Sequence, residues 1–161
     1  MGQAQPGSSD MWVNESATRA RAGLLNLLSG ATLLILWMRP DLDPVRYVAP
    51  FVVFDMVTAV LFGLTPLSPA GLLGTTITLG MPAVWKSHRP KRFAWSLGAI
   101  LGVCCLVFWT LDIRVGMFAV LGTCFALTWL EAVLGFCVGC WMYSLFWTCE
   151  DCMVPWHVAN D

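Results

Sequence analysis

Charge is what this sequence has least of. Only 12% of its residues are Asp, Glu, Lys or Arg, about half of what a soluble domain carries. Nine basic and ten acidic side chains leave a net charge of −1, so there is no concentrated basic face and nucleic acid is not an expected partner. A Gly-rich phosphate loop, a Ser-His-Asp set and an H-E-x-x-H helix are all missing, which removes the commonest nucleotide-binding, acyl-transfer and metalloprotease readings. What takes their place is apolar. Hydrophobic residues make up 58% of the chain and the mean hydropathy is +0.71. They come in blocks rather than in alternation, the pattern of membrane spans and not of a large soluble core. Nine Trp in 161 residues suit a bilayer protein, because indole settles at the headgroup level.

Four blocks are long enough to cross a bilayer. The first, Gly23 to Met38, follows Arg19 and Arg21 and reads as an uncleaved signal anchor. Its Asn26 and Ser29 favour packing on protein over a purely lipid-facing role. The second runs from Tyr47 to Leu64 and stops at a turn holding Pro66 and Pro69. The third, Phe93 to Leu111, carries Gly98-x-x-x-Gly102, a spacing that admits a close helix neighbour. The fourth apolar stretch, Val115 to Trp147, is longer than a bilayer core requires, so it either tilts and emerges or breaks near Gly135. Between the second and third blocks, Ala70 to Trp85 is short, rich in Thr and Gly, and meets Pro82; it reads as an interfacial or half-inserted helix.

The expected fold is therefore all-α: a polytopic membrane bundle of four transmembrane helices with one interfacial helix. Residues 1–18 are expected to form a mobile polar tail, 19–147 the helical domain, and 148–161 a C-terminal tail. Asn14-Glu15-Ser16 fits a glycosylation sequon. With four spans, the side holding both termini carries six Lys and Arg against three on the other, which places both termini in the cytoplasm or its equivalent.

Seven cysteines are present, an odd number at spacings unlike those of a small secreted disulfide scaffold. Cys104, Cys105 and Cys124 lie in apolar blocks, where a thiol acts as a small hydrophobe. The other four make two C-x-x-C pairs, Cys137 with Cys140 and Cys149 with Cys152. Three readings stay open. Thiols three apart at a helix start can close a disulfide, and the helix end lowers one thiol's pKa. Two such pairs can also hold a tetrahedral zinc, with His157 nearby, although the eight-residue spacer is short. The plainest reading makes Cys137 and Cys140 small packing residues.

Two carboxylates lie within apolar blocks, Asp55 and Glu131, and each must be buried, paired, protonated or beside water. The simplest expectation is that they bond Ser, Thr or Trp donors and fix helix register. On an unbroken helix Thr128, Glu131, Gly135 and Gly139 form one stripe facing the bundle, and Cys137 stands about 120° away from Glu131. His88, inside the basic block Lys86 to Arg92, is expected to be solvated.

Pro90-Lys91-Arg92-Phe93-Ala94, then Leu130-Glu131-Ala132 leading into Gly135-Phe136-Cys137-Val138-Gly139-Cys140 and Tyr143, resembles the small integral-membrane family known as domain of unknown function 4395. Phe54-Asp55 and Ser68-Pro69 resemble that family's first half, and the likeness covers roughly residues 18–146. It carries over to Glu131, Gly135, Phe136, Cys137, Gly139, Cys140 and Tyr143, and stops short of Cys149 and Cys152. It implies no assigned biochemistry, but some members look associated with thioredoxin-like partners. Together these readings favour a membrane component of thiol–disulfide exchange, using Cys137 and Cys140 with Cys149 and Cys152 as a relay to such a partner. The alternative is a structural or accessory subunit of a larger membrane complex, its cysteines inert or holding zinc. A transporter acting through Asp55 and Glu131 is a third, weaker class.

Overall fold

Within a bilayer every backbone N–H and C=O must be satisfied by the chain itself, so apolar blocks of this length become helices. The computed structural model describes residues 3–4, 11–39 and 41–147. In chain order it has β1 (Gln3–Ala4), β2 (Met11–Asn14), α1 (Glu15–Met38), α2 (Val45–Phe62), α3 (Pro69–Ile77), β3 (Trp85–Ser87), α4 (His88–Thr110), α5 (Arg114–Trp129), a π-helical turn (Leu130–Leu134) and α6 (Val138–Phe146). Four helices are long and apolar enough to span a membrane: α1, α2, α4, and α5 with its π extension to Leu134. The protein is a multi-pass helix bundle.

Local chemistry sets the boundaries. Asn14 caps α1, its side chain accepting from the Ser16 N–H at 3.0 Å, the service an Asx residue gives to the orphan donors of a first turn. Residues 11–18, which composition assigns to a mobile tail, are therefore strand and helix. The strand is held from outside: β2 pairs antiparallel with β3, Trp12 opposite Ser87, and with β1 on its other side. The basic block is not a loop either, since Lys86 and Ser87 belong to β3 and His88 opens α4.

The segment expected to be interfacial is α3, nine residues long. At ~1.5 Å per residue it is far too short to cross. Ser68 caps it, accepting from Gly71 N–H at 3.1 Å, and Ser68 and Ala70 are both buried. The turn after α2 thus re-enters the bundle. α3 then packs along the first turns of α1.

The Gly98/Gly102 pair of α4 faces α2: a β-carbon on Gly102 would lie 2.7 Å from a Val53 methyl, and one on Gly98 3.1 Å from Met56 Sδ. The contact between α2 and α4 is the most extensive between helices of the bundle. α1 rests on α5, where Asn26 Nδ2 donates to the Phe125 carbonyl at 2.8 Å and to Thr128 Oγ1 at 3.1 Å. The seam between α1 and α2 is looser. Outward faces carry large apolar side chains such as Leu34, Trp37, Phe54 and Leu61, the surface that hydrocarbon covers.

Candidate functional site at the thiol-bearing end

The fourth apolar stretch breaks at Gly135. α5 loosens into the π turn, and Gly135 closes it with φ +67°, a left-handed conformation that glycine adopts without a β-carbon penalty. The N–H groups of Gly135 and Phe136 both return to the Leu130 carbonyl. Arg19, from α1, donates to the freed carbonyls of Ala132 and Val133 at 3.2 and 3.1 Å, placing a cation at a helix C-terminus. A β-carbon on Gly135 would sit 3.3 Å from that guanidinium. The chain then restarts as α6, with Cys137 at its N-cap and Cys140 in its first turn.

This break overturns the separation expected of Glu131 and Cys137 on one continuous helix. Both lie around Lys91, which is 2% exposed and within electrostatic range of Cys137 and Cys140 as well. Lys91 Nζ meets Glu131 Oε1 at 2.7 Å and Glu15 Oε2 at 3.0 Å; Lys86 adds a longer pairing to Glu15 at 3.5 Å. Lys91 sits in the first turn of α4, where the helix dipole disfavours a cation. The two carboxylates compensate for that position and for burial.

The thiols are free and hydrogen-bonded to each other. That bond from Cys140 holds the Cys137 thiol below its usual range, and Lys91 acts in the same direction, while burial and Glu131 oppose them. Cys140, which gives the proton, is pushed up. Gly139 is pressed on α4, since a β-carbon there would lie 2.6 Å from Ala94. Tyr143 stacks on Trp147 with ring centres 4.9 Å apart, and Phe93 meets Tyr143 at 5.8 Å. A cleft of about 170 Å³ opens here, lined by Glu15, Lys86, Lys91, Gly135, Cys137 and Cys140. Cys137 also lines a second, central cavity of about 160 Å³.

Deeper in the same half of the bundle lies a second ion pair. Asp55, fully buried, accepts from Arg21 Nε at 3.0 Å and Nη2 at 2.7 Å. Its other oxygen accepts from Ser68 Oγ at 2.7 Å and the Ala70 N–H at 2.9 Å. Arg21 also lies over the Trp95 ring, 5.2 Å from its centre. The expected serine partner of Asp55 is present, but its main partner is an arginine. Glu131 pairs with a lysine instead of a neutral donor. His88 is also corrected: it is 5% exposed, edge-on to Trp95 at 5.6 Å, with Nε2 lacking a hydrogen-bond partner among the described residues.

Glu15, Arg21 and Lys91 belong to the candidate site, although in the sequence they stand out only as tail or orienting charges or, for Lys91, as part of the family pattern. The available signal was their position at span edges, opposite intramembrane carboxylates that needed partners. Cys149, Cys152 and His157 lie outside the described residues, so the second thiol pair and a four-cysteine zinc site have no described geometry. Among the described residues no group of three or more His, Cys, Asp or Glu is arranged to hold a metal ion.

Four apolar spans with their buried ionisable groups gathered toward one end define a multi-pass α-helical membrane protein. The chain belongs to the family described as Domain of unknown function (DUF4395), whose model matches residues 13–148. No curated protein and no solved structure matches it.

Proposed function

We propose that this protein is a membrane component of thiol–disulfide exchange, with Cys137 and Cys140 as the exchanging pair and a soluble thioredoxin-like protein as partner. The observation that carries the reading is the uncrosslinked, hydrogen-bonded dithiol at the start of α6, opening on the end cleft beside buried Lys91. A depressed thiol attacks; its neighbour resolves the mixed disulfide. Cys137 is the attacking thiol and Cys140 the resolving one. Cys149 and Cys152 follow in the chain as a relay to the partner. In this reading both termini face the cytoplasm or its equivalent.

The close contact of Gly139 with Ala94 favours a second reading, a structural subunit in which small residues at 137–140 serve packing or, with the second pair, hold zinc. One experiment separates the two. A Cys140→Ser variant incubated with an oxidised thioredoxin is expected to accumulate a mixed disulfide through Cys137, and the Cys137→Ser/Cys140→Ser variant none. Equal thiol exchange in wild type and double variant, or stoichiometric zinc masking the thiols, would overturn the exchange reading.

A further inference from the structure

We propose that the central cavity is a site for a membrane-dissolved quinone that takes electrons from the Cys137–Cys140 dithiol. The inference rests on the exchange reading, run in its reverse direction, in which the Cys137–Cys140 disulfide oxidises the partner's thiols, and it supplies the electron acceptor that this direction requires. Nothing else among the described residues can accept two electrons. A Cys137–Cys140 disulfide that oxidises a partner is left as a dithiol, which must pass two electrons on before it can act again.

Size is the first argument. The cavity measures about 160 Å³, comparable with an engineered apolar cavity of ~150 Å³ that binds benzene. It therefore fits one six-membered ring. Its walls come from α1, α2, α4 and α5 and are mostly apolar, with Ala22, Ala49 and Gly98 giving room. Trp95, 3% exposed, contributes a flat aromatic wall, and aromatic rings stack in offset or edge-on contact. Arg21 lines the same space, its Nε and Nη2 held by Asp55. Its guanidinium is the donor proposed for a ring carbonyl.

Position is the second argument. Cys137 lines both the central cavity and the end cleft, whereas Cys140 lines only the cleft. The dithiol is thus the partition between a compartment suited to a soluble partner and one suited to a lipid-soluble ring. The loose α1–α2 seam borders the cavity and is the route of entry from the bilayer in this proposal. Glu131 lines the cavity beside the thiols and is placed to receive a proton.

The chemistry balances. Oxidation of the two thiols forms one S–S bond and releases two electrons and two protons. The quinone takes both electrons and both protons at its two carbonyl oxygens and leaves as hydroquinone. Reduced thiols of the soluble partner then reopen the disulfide.

The test uses the full chain in lipid nanodiscs, reduced and freed of reductant, with a short-tailed benzoquinone as probe. Quinone absorbance, free thiols and tryptophan fluorescence are followed together. The expected result is one quinone reduced per chain, a new Cys137–Cys140 disulfide, and saturable fluorescence quenching. The Cys137→Ser/Cys140→Ser variant should retain the quenching and lose the reduction. Ala22→Leu, or Ala49→Leu on the facing helix, should raise the half-saturating quinone concentration about tenfold by overfilling a one-ring site. Quinone consumption unchanged in the double serine variant, or quenching that never saturates, would overturn the proposal. Mixed-disulfide trapping with the soluble partner is scored separately. Trapping without quinone reduction sinks the quinone site and spares exchange; quinone reduction without trapping does the reverse.

Discussion

Replacing Asp55 with leucine is the sharpest test of how this bundle is held. The Asp55 carboxylate receives four hydrogen bonds, two from Arg21, one from Ser68 and one from the Ala70 N–H, and neither Asp55 nor Arg21 is more than 2% exposed. Removing the carboxylate strands a buried guanidinium about 9 Å along α1 from Glu15, in a region with little water to solvate it. Breaking a buried pair from one side costs about 3–5 kcal/mol. In Arg21→Met/Asp55→Leu the stranded charge is gone. What remains is the loss of acceptors for Ser68 and Ala70, about 1–3 kcal/mol if they stay unsatisfied. The double variant should therefore be more stable than Asp55→Leu alone. The assay is denaturant unfolding in mixed micelles, followed by tryptophan fluorescence and circular dichroism. A loss below about 1 kcal/mol in Asp55→Leu, on a scale where point mutants average near that value, would refute the argument. So would a double variant less stable than the single.

Gly135→Ala should destabilise by about 1–2 kcal/mol, because a left-handed residue acquires a β-carbon, and that carbon meets the Arg19 guanidinium; Gly135→Asn should be milder, and thermal melts of the two compare them. Gly102→Val should lower stability by about 1–3 kcal/mol through overpacking against Val53, with partial recovery in Gly102→Val/Val53→Ala; full stability of Gly102→Val would show that α2 and α4 are not in close contact. The rate of Cys137 alkylation, read by mass spectrometry, rises with pH as its thiolate forms. Since Cys140 is the largest influence holding Cys137 low, Cys140→Ala should move the midpoint of that rise to higher pH, and an unchanged midpoint would refute the hydrogen bond's role.

The spans were legible because a bilayer leaves an apolar block few alternatives to helix. The last stretch was too long for one crossing, which left a tilt or a break near Gly135 as the two outcomes, and Gly98/Gly102 was legible because close helix approach needs small residues. Asp55 and Glu131 announced that partners must exist without saying which. Those partners lie 34 and 40 positions away, and a one-dimensional pattern does not state which helices are neighbours. Glu131 and Cys137 come together only because the chain turns at Gly135, a three-dimensional redirection that helical-wheel spacing assumes away. His88 was misjudged for a related reason. Its neighbours in sequence are basic and suggest water, whereas β3 and Trp95 draw its ring inward.

The buried ion pairs also bear on how the chain is inserted. The side that holds both termini has six basic residues to mark it for the membrane machinery, and Arg19, Arg21, Lys86 and Lys91 are among them. Each is engaged within the finished bundle, on carbonyls or carboxylates contributed by other segments. Two of them, Arg21 and Lys91, are needed in the open while orientation is being decided and are buried once the helices assemble. Orientation has to be fixed first, and the folded protein then conceals part of the signal that fixed it. A neutralising substitution at Lys91 acts at two separate moments, weakening the topological signal during synthesis and leaving Glu15 and Glu131 unpaired afterwards.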